Sequence, residues 1–184
     1  MSMKTVLFLL GELDDDDIDW MLATGTRENI PTGTVLIEEG VPIDNLFILL
    51  EGTLSVTTTA AQGREIANLL SGDIVGEMSF IDTRPPSATV SAKGEALVLC
   101  IPREKLSDRL RFDIGFAARF YRALAICLSS RMRLTVNQLQ NRDKPQSGDL
   151  HPELPVSELA KDALESIELA KTRLDWLLRR LKDS

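Results

Sequence analysis

Short apolar segments separated by single glycines occupy residues 34–101, and this pattern limits the fold more than any other feature of the chain. The segments, at residues 34–37, 45–50, 53–58, 64–70, 87–92 and 96–101, are rich in β-branched or aliphatic residues. Glycines at 33, 40, 52, 63, 72 and 94 punctuate them. Within residues 53–58, Leu54 and Val56 alternate with hydroxyl side chains. Repeated alternation at close spacing predicts an antiparallel roll or barrel.

Helical patterns flank the predicted strands on both sides. Four aspartates, residues 14–17, precede an apolar group and predict a short helix at about residues 13–24, with negative charge near its positive end. Residues 113–141 contain no proline and only Gly115, which predicts one long helix. Tyr121, Ala125, Leu128, Met132, Thr135 and Leu139 follow alternating spacings of four and three. This spacing is typical of a seam that packs against a second helix.

The end of the chain changes composition once more. Residues 143–155, DKPQSGDLHPELP, are rich in proline, glycine and polar side chains, as in a linker. Beyond them, Ser157 suits a helix N-cap. A stripe of Ala160, Ala163, Ile167, Ala170, Leu174, Leu177 and Leu181 predicts packing against another helix, most simply the long one.

The predicted fold class is therefore α+β and mainly β. It is an antiparallel, jelly-roll-like β-roll with a short N-terminal helix, a long dimerisation-type helix and an extra C-terminal helix. We divide the chain into residues 1–112 (roll and N-terminal helix), 113–142 (long helix), 143–156 (linker) and 157–184 (C-terminal helix).

Charge and composition exclude several classes of function. A net charge of −7 and a pI of about 4.8 argue against broad binding of nucleic acid or anionic membrane. The apolar run at residues 6–10 is too short for a secretory signal and is followed by aspartates. His151, the only histidine, lies in the predicted linker, and Cys100 and Cys127 lack metal-ligand or redox spacing. We predict a cytoplasmic, non-enzymatic protein without metal or cofactor, whose two thiols are buried.

Three stretches carry a resemblance to a known family. GTVLIEEG (33–40), NLFILLEGTLSV (45–56) and SGDIVGEMSFIDTRPPSATV (71–90) resemble the β-roll and phosphate-binding cassette of the cyclic nucleotide-binding domain. This domain is the sensory module of catabolite-activator-type regulators and of cyclic-nucleotide-gated channels and kinases. The resemblance covers about residues 13–142. It implies cyclic AMP or cyclic GMP as ligand and a homodimer formed through the long helix.

The resemblance also assigns ligand-binding roles. Gly76, Glu77, Met78 and Ser79 match the turn and short helix whose backbone N–H groups face the cyclic phosphate, with Glu77 at the position that binds the ribose hydroxyl. Ser87 and the N–H of Ala88 match groups that bind phosphate oxygens. Thr135 is the best match for a long-helix residue that reaches the base, although a polar residue tolerated in a helix seam is an equal interpretation.

The sequence departs from the family at Pro86. Family members that bind tightly carry an arginine there, which makes a bidentate contact with the phosphate. Proline provides neither charge nor N–H, and Arg84 is the nearest cation in sequence that could take over the phosphate contact. Three interpretations follow: a sensor that binds a cyclic nucleotide weakly or another small anion, a ligand-free scaffold for protein partners, or a transcription regulator. The last is weakest, because one mixed-charge helix replaces a winged helix-turn-helix, and we expect no DNA binding.

The long helix also concentrates positive charge. Between residues 114 and 141 it carries arginines at 119, 122, 131 and 133 and no acid. The simpler interpretation is that these arginines pair with acids of the roll or of the C-terminal helix. The alternative is a docking face for an acidic, unidentified protein partner.

Overall fold

The computed structural model describes residues 5–82, 84–140, 169–173, 175, 176 and 179. The chain divides into two compact units. One consists of residues 15–117, and the other of residues 1–14 together with residues 118–184.

The unit of residues 15–117 is built on two antiparallel sheets of four strands each. The strands are β1 (Thr26–Ile30), β2 (Val35–Ile37), β3 (Asn45–Glu51), β4 (Thr53–Thr57), β5 (Glu65–Leu70), β6 (Ile74–Val75), β7 (Thr89–Ala92) and β8 (Ala96–Pro102). Their order is β1-β8-β3-β6 in one sheet and β2-β7-β4-β5 in the other. The predicted antiparallel roll is therefore confirmed.

Alternating side chains of both sheets form the core of the roll. In β4, Leu54 is buried and paired across the sheet with Leu69 on one side and Ala92 on the other. The core cluster consists of Ile30, Ile37, Ile43, Phe47, Leu49, Leu54, Val75, Val90, Ala92, Ala96, Val98 and Cys100. Burial of this apolar surface is the main force that holds the two sheets together.

The helices are α1 (Thr5–Glu12), α2 (Asp15–Thr24), α3 (Met78–Ile81), α4 (Arg103–Phe112) and α5 (Ile114–Gln140). A single 3₁₀ turn, Thr59–Ala61, lies between β4 and β5. Helices α2 and α5 confirm the short helix and the long helix predicted from the sequence. Helix α1 was missed, because its apolar residues were considered only as a possible signal segment.

Two arginines of the long helix pair with acids near the start of the chain, within the unit of residues 1–14 and 118–184. Arg119 Nη2 lies 3.0 Å from Asp14 Oδ2, and Arg122 Nε lies 3.2 Å from Glu12 Oε2. The acids of these two pairs come from the end of α1 and from the second residue after it, rather than from the strands of the roll.

The described part of the chain end is helical at residues 169–173, 175, 176 and 179. Ala170, a member of the predicted stripe, is completely buried. The predicted linker at 143–156 and the first part of the terminal helix lie outside the described residues.

Two strands had no clear signal in the sequence. β1 is polar and exposed except at Ile30, and it pairs with β8 along its whole length. β6 has only two residues, both buried, which pair with Phe47 and Ile48 of β3. Both segments become strands because they pair with a longer neighbouring strand, not because of a hydrophobic pattern of their own.

Candidate functional site

A tight turn between β6 and α3 begins at Gly76. Its φ of +90° lies in the left-handed region that side chains rarely adopt. A Cβ at this position would stand 2.6 Å from Cδ1 of Ile43 and 3.3 Å from the carbonyl oxygen of Asn45. Gly76 therefore allows the turn to lie directly against the start of β3.

Two polar side chains at the start of α3 are buried, one from the residue before the helix and one from within it. Glu77 is only 3% exposed and Ser79 6% exposed, whereas Met78 between them is half-exposed. Ser79 Oγ donates a hydrogen bond to the carbonyl oxygen of Arg84 at 3.1 Å. The four predicted residues from Gly76 to Ser79 thus lie in one turn, and Ser79 connects that turn to the segment after it.

Arg103, the first residue of α4, holds α3 from another side. Its Nη2 donates to the carbonyl oxygen of Ser79 at 2.7 Å, and its guanidinium lies 4.6 Å from the ring centroid of Phe80. The N–H of Arg103 donates to the carbonyl oxygen of Asp44 at 2.7 Å. The bond from Arg103 to Ser79 was not predicted, because it joins residues 24 positions apart through a main-chain acceptor.

Arg84 points away from the buried residues of α3. Its side chain is 83% exposed, and its Nε lies 3.9 Å from Asp82 Oδ2. Its N–H also donates to Asp82 Oδ1 at 3.1 Å. Further along, Ser87 is exposed and Ala88 half-buried at the entry to β7. In this structure the cation nearest to Pro86 in sequence is therefore engaged by a local carboxylate.

The loop after β2 fixes the segment that contains Pro86. The N–H of Gly40 donates to the carbonyl oxygen of Pro86 at 2.8 Å, and the N–H of Glu39 donates to Thr89 Oγ1 at 3.1 Å. The Glu39 carboxylate accepts hydrogen bonds from the N–H and the hydroxyl of Thr59, at 2.8 and 2.7 Å. These bonds, that of the Thr59 N–H above all, lower the pKa of Glu39. Glu39 thus joins the β4–β5 loop to the end of the candidate site.

Thr135, the remaining predicted residue, lies in helix α5, but its side chain is outside the described part of the structure. The assignment of Thr135 to the ligand therefore stays a prediction. Among the described residues, no cluster of three or more histidine, cysteine or acidic side chains could hold a metal ion. Over the same residues, none of the helices has the length and apolar character needed to span a membrane.

Comparison with known proteins covers the same region. Residues 27–111 match the family model described as the cyclic nucleotide-binding domain. The chain is 32% identical over 124 residues to glutaminase 2 of Bradyrhizobium diazoefficiens, a match that spans 67% of this chain and 19% of the glutaminase. It is 30% identical over 115 residues to a CRP-like cAMP-activated global transcriptional regulator of Mycobacterium tuberculosis, covering 60% of this chain and 49% of the regulator.

A solved structure agrees with the fold. The cyclic nucleotide-binding domain from Methylobacillus flagellatus superimposes with a TM-score of 0.66 at 23% identity, over 79% of this chain and 85% of that one. This structural similarity concerns the fold alone, and it agrees with the family match. The curated relatives are longer than the region they share with this chain, which spans about a fifth of the glutaminase and half of the regulator.

Proposed function

Because residues 27–111 form a domain of the cyclic nucleotide-binding family, we propose that this chain is a non-catalytic regulatory module. Its roll binds a cyclic nucleotide weakly, or another small anion, and the helices transmit occupancy of the site. Glu77 binds the ribose hydroxyl, and the N–H groups around Met78, Ser79 and Ala88, together with Ser87, face the phosphate.

The observation that carries the proposal is the combination of Gly76 with the buried Glu77. The positive φ of Gly76 and its close approach to Ile43 draw the turn onto β3. Glu77 is then almost entirely removed from solvent. A buried acid is costly unless polar groups surround it, and its retention next to an obligatory glycine suits a residue that serves a ligand.

Pro86 sets the expected strength of binding. A hydrogen bond to a charged group contributes about 1.5–3 kcal/mol, so the loss of a bidentate arginine weakens binding by roughly two to four orders of magnitude. Arg84 is exposed and engaged by Asp82, which supports weak rather than rescued binding.

Thermal unfolding with and without nucleotide tests this function. Cyclic AMP and cyclic GMP at millimolar concentration should raise Tm, because a ligand that binds only the folded state stabilises it. The linear nucleotides 5′-AMP and 5′-GMP are the matched controls for general anion binding. A Tm unchanged by either cyclic nucleotide, with calorimetry showing no heat of binding, would refute the sensing role.

The second candidate, a ligand-free scaffold, is favoured by one observation. The carbonyl oxygen of Pro86 already accepts the N–H of Gly40, and the N–H of Glu39 donates to the hydroxyl of Thr89. The site segment is thus held in place by the chain itself. Absence of binding in the experiment above, with the roll intact by circular dichroism, would select this alternative.

Pairing of two copies through α5 belongs to the same proposal. Of the predicted seam, Tyr121, Ala125 and Met132 are exposed and Leu128 half-buried in the single chain, which leaves apolar surface for a second copy. Sedimentation should show a dimer at micromolar concentration. Leu128→Asp with Met132→Asp should yield a monomer, whereas Ser129→Asp, an exposed neighbour outside the seam, should leave the dimer intact.

A further inference from the structure

The carboxyl end of α1 is bound by an arginine from the opposite end of the chain. Nη1 of Arg173 donates to the carbonyl oxygens of Leu10 and Leu13, both at 2.7 Å. Arg173 and Leu10 are 163 positions apart in sequence, yet both lie in the same compact unit. The neighbouring Ala170 is completely buried, so the terminal helix turns this face inward.

The chemistry of a helix end explains the contact. The last carbonyl groups of a helix have no partner within the helix, and they carry a partial negative charge. Since α1 ends at Glu12, the carbonyl of Leu10 is one of these groups. A guanidinium satisfies it and matches its charge, as basic side chains do at helix C-termini.

The same short segment also holds the long helix. Glu12 and Asp14 form ion pairs with Arg122 and Arg119 of α5, at 3.2 and 3.0 Å. Both acids lie within two residues of the carbonyls that Arg173 binds. The end of α1 is therefore a junction at which one arginine of the terminal helix and two arginines of the long helix meet.

We propose that the terminal helix is an intramolecular strap, fastened to α1 by Arg173, and that its release loosens the junction through which α1 holds α5. The strap is defined by the described helical residues 169–173, 175, 176 and 179. This device goes beyond the proposed function, since it needs no ligand in the roll. Attachment or release of the C-terminal segment thereby changes how firmly α1 holds α5.

Hydrogen exchange on the full chain tests the strap. Arg173→Ala should speed exchange of the amides near the end of α1, such as that of Leu13, by about tenfold or more, because a charge-assisted bond to two acceptors is lost. Arg179→Ala is the matched control: it removes the same charge from an exposed position of the same helix and should leave these amides unchanged.

A second variant and a second variable complete the test. Arg173→Lys keeps the charge and a donor nitrogen but loses the planar guanidinium, and its exchange rate should fall between those of wild type and Arg173→Ala. It replaces the alanine variant if that one fails to fold. Equal exchange at α1 in the Arg173 and Arg179 variants overturns the proposal, as does faster exchange confined to the terminal helix.

Protection of the α1 amides from exchange should not depend on protein concentration. Protection that falls on dilution would mean that a second copy supplies Arg173, and would overturn the intramolecular strap.

Discussion

The guanidinium of Arg109 lies 3.5 Å from the carboxylate of Asp17, a side chain that is only 1% exposed. Arg109 also pairs with Asp113 at 3.0 Å, and it lies over the rings of Trp20 and Phe116 at 5.3 and 5.2 Å from their centroids. One side chain of α4 therefore joins α2 to the start of α5 within the unit of residues 15–117. Asp17 is the fourth aspartate of the run that the sequence analysis assigned to a helix N-terminus. Its carboxylate is buried and forms an ion pair with Arg109.

Replacement of Arg109 by methionine should destabilise this unit by about 2–4 kcal/mol. The substitution removes a cationic partner from the buried carboxylate of Asp17, which costs more than the loss of an exposed pair. Urea unfolding of Arg109→Met measures the change, with Arg111→Ala as an exposed control that should shift stability by less than about 0.5 kcal/mol. Asp17→Asn in the Arg109→Met background should recover part of the loss. Equal stabilities of the Arg109 and Arg111 variants would contradict this role.

Two glycines of the roll allow backbone strain to be separated from close packing. Gly63 has φ +74° with nothing within 4 Å of a built Cβ, whereas Gly76 has φ +90° and a contact of 2.6 Å to Ile43. Gly63→Ala should therefore cost about 1 kcal/mol for the left-handed conformation alone. Gly76→Ala should cost about 1–3 kcal/mol more, because Ile43 must move. Equal costs by urea unfolding would show that the turn does not lie tightly on β3.

Six of the eight strands of the roll were predictable because each carries its own signal. Glycines between short apolar or alternating segments identified β2, β3, β4, β5, β7 and β8. β1 reads as TRENI, exposed at four of five positions, and becomes a strand through pairing with β8. Local sequence cannot report a strand that forms by pairing with residues as distant in the chain as 96–100.

The features of the candidate site also fall into those that the sequence predicts and those that it does not. The turn at Gly76 and the short helix after it were predictable, because a glycine-led turn and a short helix are contiguous in sequence. Glu39 and Arg103 were not found. Glu39 acts on Thr89, 50 residues away, and Arg103 acts on a carbonyl 24 residues away. Each contact uses a main-chain donor or acceptor, which leaves no mark in the sequence, so such contacts appear only once the fold is known.

The thiol of Cys100 should be inert in the native protein. Burial above all, together with the nearby Glu28 carboxylate, raises the pKa of Cys100 from its ordinary value of 9.0 to about 12. Because only the thiolate reacts, a maleimide at pH 8 should not label Cys100 until the chain is unfolded in urea. A Cys127→Ser background isolates the signal, and rapid labelling of the native variant would contradict the assignment.

The same shift fixes the sign of a pH effect on stability. The unfolded chain loses the Cys100 proton near pH 9, while the folded chain keeps it to about pH 12. The stabilising contribution is therefore complete below pH 9 and declines as pH rises through that window, by up to about 1.4 kcal/mol per pH unit. Above pH 9, the free energy of unfolding of Cys100→Ala should fall less steeply with pH than that of wild type. The difference in slope should correspond to the release of one proton on unfolding. Identical slopes would argue against a buried, protonated thiol.

Restoring a cation at position 86 is the sharpest test of the candidate site. Pro86→Arg should strengthen binding of cyclic AMP or cyclic GMP by about 2–5 kcal/mol, the size of a paired charge-assisted contact in a partly desolvated pocket. The carbonyl oxygen of residue 86 accepts the N–H of Gly40, and this bond survives the substitution. The upper end of the range holds if the backbone that proline constrains already matches the one arginine requires. Calorimetry on wild type and variant measures the gain directly.

Three controls decide what a gain or its absence means. Pro85→Arg adds the same charge one residue earlier, at an exposed position, and should strengthen binding far less. Glu77→Ala in the Pro86→Arg background should weaken binding again, since the buried carboxylate is assigned to the ribose. If wild type binds at micromolar concentration, Arg84 must leave Asp82 to reach the phosphate, and Arg84→Ala should then abolish binding. No gain from Pro86→Arg, in a variant that melts like wild type, would mean that the chain's own side chains fill the site, and the scaffold interpretation would replace the sensor.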